Sequence, residues 1–146
     1  MMPRIRPLLR RMRDNTAAVT VEFALLSFFF FGFLLGVLQV GIGMQNYNAV
    51  RNVSADVARY TMVQHETGNT LTTSQIRAYT ISTARSAPYL MEDARLNASV
   101  VLATDQRVAG AREYTLTVTY RIPSLLTVLD IYSPNISYSR PIFVVI

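Results

Sequence analysis

Residues 17–43 read AAVTVEFALLSFFFFGFLLGVLQVGIG, and the rest of the chain is arranged around them. From Phe23 to Val40 there are eighteen consecutive residues without a charge. Wound as a helix they span ~27 Å, close to the hydrocarbon thickness of a bilayer. A short arginine-rich tail precedes this run, and a stretch with the composition of a small folded domain follows it. One carboxylate, Glu22, stands at the entrance to the apolar run.

Working outward, the tail comes first. Residues 1–14 hold five arginines against the single Asp14, a balance of +4, whereas residues 15–146 hold nine arginines against eight acids. The basicity therefore belongs to the tail, and arginines just before an apolar span are the pattern of a cytoplasmic N-terminus. No basic stripe or helix-turn-helix pattern follows, so the charge argues for a membrane and against nucleic acid as the partner. A secretory signal peptide would have a shorter apolar core closed by a small-x-small cleavage site. Here the run is longer and continues as MQNYNAVRNVSADVARYTMV, with Val50, Val53, Val57 and Tyr60 recurring at helical spacing on one face. The simplest reading is one helix from about Ala18 to Val63, half apolar and half amphipathic. The alternative is two helices with a break at Gly41 or Gly43.

Gly68 and Asn69 mark a turn, and Ser74 is the expected cap of a short helix over QIRAYTISTARSA, stopped by Pro88. The period then changes to two. Leu96, Ala98, Val100 and Leu102 form one apolar row, and Tyr114, Leu116, Val118, Tyr120 and Ile122 a second, so the pair reads as a β-hairpin. SLLTVLD after Pro123 reads as a short helical turn. Ile136, Tyr138, Arg140, Ile142 and Val144 mark a third strand, with Pro141 placing part of it at an edge or a bulge. The expected fold is α+β: a long N-terminal helix, a short helix and about three antiparallel strands, with the Val50–Tyr60 stripe as helix–sheet core. The domain boundaries expected are an Arg-rich leader over 1–17, an assembly helix over 18–44 and an exported domain over 45–146.

Chemistry is sparse. There is no cysteine and no lysine, which removes disulfides, thiolate metal sites, Schiff bases and a P-loop lysine. His65 is the single histidine, and the adjacent Glu92 and Asp93 read as a charged turn. No glycine-rich phosphate loop, nucleophile elbow or calcium-loop spacing is present. Neither an enzyme nor a cofactor is expected. Gly32 and Gly36 form a G-x-x-x-G within the apolar run, a spacing that permits close helix approach in lipid.

Glu22 can be read in two ways. At the cytoplasmic interface it merely favours a helix N-terminus; toward the bilayer centre a carboxylate costs ~2.5–3.5 kcal/mol and asks for a purpose. The run Ala17-Ala18-Val19-Thr20-Val21-Glu22-Phe23-Ala24-Leu25, after its basic leader, resembles the start of TadE-like pilins of the Tad (tight adherence, type IVb) pilus system. Members typically read G-A-x-A-V-E-F-A-L here, and Ala17 stands where they have glycine. The resemblance implies cleavage between Ala17 and Ala18 by a prepilin peptidase. The new α-amine, with an ordinary pKa of about 7.7–8, would be largely protonated and four residues from Glu22. In a filament, the amine of one subunit could pair with the carboxylate of another. The implied partners are the membrane, major and minor pilin subunits, the peptidase and an inner-membrane assembly platform. The implied location is the bacterial inner membrane with a periplasmic C-terminal domain, then the pilus. Bulk pilins of this system are much shorter chains, so the added domain points to a priming or tip role. The competing expectation is a single-pass membrane protein whose exported domain binds a ligand or partner.

Overall fold

The computed structural model describes residues 15–105, 107–125, 127 and 134–145. The element order is α1 (Asn15–Glu66), α2 (Thr73–Arg85), a 3-10 turn (Asp93–Arg95), β1 (Leu96–Leu102), β2 (Ala111–Arg121) and β3 (Asn135–Val145), an α+β fold. Contacts within the chain divide it into two units between Leu38 and Gln39.

α1 is assigned as one helix of 52 residues, so Gly41 and Gly43 lie inside it. No proline interrupts the segment, and its sequence is dominated by residues without a strong cost in a helix. Gly68, at φ +85, lies just beyond its end, a left-handed conformation that glycine adopts without steric cost.

α2 starts at Thr73, one residue before Ser74, the expected cap. The cap is Thr72: its hydroxyl accepts from the Gln75 amide at 3.3 Å, and the Gln75 side chain accepts from the Thr72 amide at 2.8 Å. Only Thr72 has a glutamine three positions on, so only Thr72 can close this reciprocal box; Ser74 falls in the first helical turn. The helix ends at Arg85, ahead of Pro88. The turn expected over residues 124–130 falls mostly outside the described residues.

The sheet is an antiparallel meander in the order β1-β2-β3. Val118 sits opposite Ala98 on one side and Tyr138 on the other, which brings the three apolar rows onto one face. Leu116, Val118 and Ile142 on that face are fully buried and join one cluster with Val50, Val53 and Val57 of α1 and Ile76 of α2. Polar residues in this core satisfy themselves: Ser54, Thr61 and Thr80 each donate to the carbonyl four residues back at 2.7–2.8 Å. The other face is a hydroxyl ladder, with Thr117 bonded to Ser139 at 2.8 Å and Thr119 to Ser137 at 3.1 Å. Pro141 remains within β3, an edge strand, where a missing N–H is tolerated. On the opposite edge, Arg77 of α2 donates its Nε to the Ala98 carbonyl of β1 at 2.8 Å.

Candidate assembly helix and the end of the apolar run

In the first unit, the α1 side chains from Ala17 to Leu38 are almost all exposed. Phe23 and Phe33 retain 71% and 76% of their accessible surface. An 18-residue window of the helix has a mean hydropathy of 2.3 with none of it buried, so it is long and apolar enough to cross a membrane. A helix apolar all round and covered by nothing needs a nonaqueous surrounding, and lipid or a bundle of other helices supplies one. Within this segment Ala17, Ala18 and Glu22 lie on continuous helix, with Ala18 and Glu22 one turn apart on the same side. Glu22 is exposed. A side chain added at Gly32 or Gly36 would meet nothing within 4 Å, so the G-x-x-x-G forms an open notch. The arginine-rich stretch 1–14 lies outside the described residues.

In the second unit, Val50, Val53 and Val57 have no exposed surface, and Tyr60 at the end of their stripe stacks on Tyr79 of α2 at 3.7 Å and 14°. These four residues thus line a covered face, unlike Ala18, Glu22, Gly32 and Gly36. Nearer the apolar run, Gln39 spans the chain after β2: its Nε2 donates to the Pro123 carbonyl at 3.1 Å, and its Oε1 accepts from the Leu125 amide at 2.8 Å. A Cβ on Gly43 would stand 3.6 Å from Ile122, ordinary van der Waals contact. Val40, Gly43, Met44, Tyr47, Ile122 and Ile136 line an apolar groove of about 440 Å³ here. Gln39 did not stand out among candidate sites in the sequence, although a lone amide at the end of an apolar run is the signal that could have found it.

Several other titratable groups are held by neighbours. Glu92 pairs with Arg95, while Asp93 faces Arg85 at 3.8 Å, so the two adjacent carboxylates diverge. Glu113, whose side chain is 4% exposed, is gripped by Arg107 through bonds of 3.0 and 3.1 Å from its Nε and a shorter one from Nη2. That hydrogen bonding holds the Glu113 carboxyl below its usual range and raises Arg107. Tyr89 is pushed up to about 12, first by burial and then by its hydrogen bond to Asp56. His65 lies beside Glu66, Met62 and Phe143 in a shallow depression. Among the described residues, no group of three or more His, Asp or Glu side chains could hold a metal ion.

Neither a curated protein nor a solved structure matches the chain. The family model described as TadE-like protein matches residues 17–59. That segment contains the exposed apolar helix, Glu22, and the buried valines of its amphipathic half. Over residues 17–59 the chain is similar to that family, and the matched segment opens on an apolar helix.

Proposed function

We propose that this protein is a minor pilin-like subunit of a Tad-type (type IVb) pilus, acting in priming or at the tip. In this reading Phe23–Val40 holds the precursor in the inner membrane, with the tail cytoplasmic and the domain from residue 45 periplasmic. Cleavage between Ala17 and Ala18 then frees an α-amine, and the helix passes from lipid into a bundle with other pilin helices. One observation carries the reading: the TadE-like match falls on an uncovered apolar helix whose one carboxylate, Glu22, lies a turn after Ala18. The charge matters because a carboxylate in an apolar bundle is tolerated only with a partner, and the amine four residues earlier is of the right sign. The β-sheet domain, larger than packing of a helix alone requires, suits a subunit present in few copies.

Two measurements test this. Intact mass of the protein from its native membrane should correspond to a chain starting at Ala18. A retained arginine-rich tail would favour an anchored protein with a periplasmic binding domain. Glu22→Ala should abolish pilus assembly while membrane insertion is kept, and normal piliation in that variant would remove the role given to the carboxylate.

A further inference from the structure

The sheet end whose Ile122 packs on α1 at Gly43 carries a polar pocket that the pilin reading does not use. Its volume is about 300 Å³, and Arg95, Asn97, Thr119, Arg121 and Asn135 line it. The register explains why these side chains meet. Arg121 stands opposite Asn135, and Thr119 opposite Asn97, so four of them share the face of the sheet away from the Val118–Leu116 core row. Arg95 enters from the 3-10 turn just before β1. The Arg121 side chain makes no ion pair or hydrogen bond among the described residues. Arg95 gives its Nε to Glu92 and has no other such partner there, so its terminal nitrogens remain available. Two guanidiniums on one pocket, with no carboxylate among the described residues of its wall, leave an excess of donors that an anionic phosphate satisfies.

The position along the helix says which phosphate. Ile122, the next residue after Arg121, meets α1 at Gly43. Gly43 is two residues before Gln45, where the pair Gln45-Asn46 ends the apolar run, a rise of ~3 Å. The headgroup layer adds about 5–7 Å outside the hydrocarbon on each side of a bilayer. Arg121 is therefore the neighbour in sequence of a residue that packs on α1 where the apolar run gives way to polar residues.

We propose that the Arg95–Arg121 pocket binds the phosphate of an anionic phospholipid headgroup and seats the sheet domain on the membrane before assembly. The inference rests on the membrane placement of Phe23–Val40 but not on pilus assembly.

The test uses the full chain in nanodiscs of phosphatidylcholine, with or without phosphatidylglycerol, read by amide hydrogen exchange. Anionic lipid should slow exchange over residues 119–122 and 135–136 by about fivefold for each arginine engaged. Arg121→Gln, and separately Arg95→Gln, should each reduce the difference. Arg59→Gln, whose residue lies ~24 Å further along the helix from Gly43, should leave it intact. Unchanged exchange at the buried amides of Val53 and Val57 certifies that each variant is folded. Equal exchange in the two bilayers overturns the proposal, as does a lipid effect that survives both substitutions. Equal protection by inorganic phosphate in detergent assigns the pocket to a free anion and overturns the headgroup assignment. None of these readouts needs a pilus, so failure of the Glu22→Ala prediction would leave this test standing.

Discussion

Gln39→Leu tests whether the segment leaving β2 is fastened to α1 by one amide. Leucine keeps the size and helix propensity of glutamine and removes only the polar end. The bonds lost include the 3.1 Å donation to Pro123 and the 2.8 Å acceptance from Leu125. A typical net value is about 0.5–1.5 kcal/mol per bond. Leu125 is exposed, so its amide recovers water at little cost, whereas Pro123 is half-buried and its carbonyl does not recover fully. The loss should therefore fall near 1–2 kcal/mol, toward the lower part of the combined range. For a domain of this size that corresponds to roughly 5–10 °C in melting temperature. Thermal unfolding in detergent measures the global cost, and hydrogen exchange at the Leu125 amide measures the local one. Gln39→Glu is the discriminating control: it keeps an acceptor for Leu125 but turns a second acceptor toward the Pro123 carbonyl. Local protection at Leu125 should then persist although stability falls. If Gln39→Leu melts with the wild type and its Leu125 amide exchanges no faster, the clamp has no energetic meaning.

Thr72→Ala should cost about 1 kcal/mol by denaturant titration through loss of the capping box, and Ser74→Ala distinctly less. Leu116→Ala removes a fully buried side chain at the centre of β2 and should cost about 2–5 kcal/mol in the same titration. Arg107→Gln should lower the melting temperature at neutral pH. The folded Glu113 carboxyl lies below its ordinary value of 4.5, so its contribution is present above that value and disappears as pH falls through the lowered one. The wild-type advantage over Arg107→Gln should therefore vanish in acid, and an advantage that persists there would contradict the pairing.

The α+β class was legible because its signals are periodic. Eighteen uncharged residues, a 3-4 repeat of valines and period-two rows in three later segments leave few ways to bury apolar surface. What escaped reading depends on single polar atoms meeting across the chain. Thr72 and Ser74 look alike as caps until the partner three residues on is counted, and Gln75 decides for Thr72. Gln39 with Pro123, Arg77 with Ala98 and Arg107 with Glu113 each join residues whose proximity only the folded register creates. The same holds for Arg95 and Arg121, 26 positions apart in sequence and neighbours only because β1 and β2 pair as they do.

These polar contacts bear on how copies of the chain can associate. A three-stranded sheet has two open edges, each a template for pairing with another strand. Here both are obstructed. The Ala98 carbonyl on the β1 edge is already taken by Arg77, and the β3 edge contains Pro141, which offers no N–H. Arg140, beside that proline, further opposes the apolar approach of another strand along β3. On the outer sheet face Thr117 and Ser139, and Thr119 and Ser137, bind each other across β2 and β3. Among the described residues, the largest continuous apolar surface left uncovered is the first half of α1. Association through that helix leaves the sheet domain free of strand exchange. A variant that reopened an edge, such as Pro141→Val with Arg77→Ala, should aggregate through β-pairing while the helix remains intact. Sedimentation with infrared detection of intermolecular strands would register that change, and a double variant that stayed dispersed would show that the edges need no such guarding.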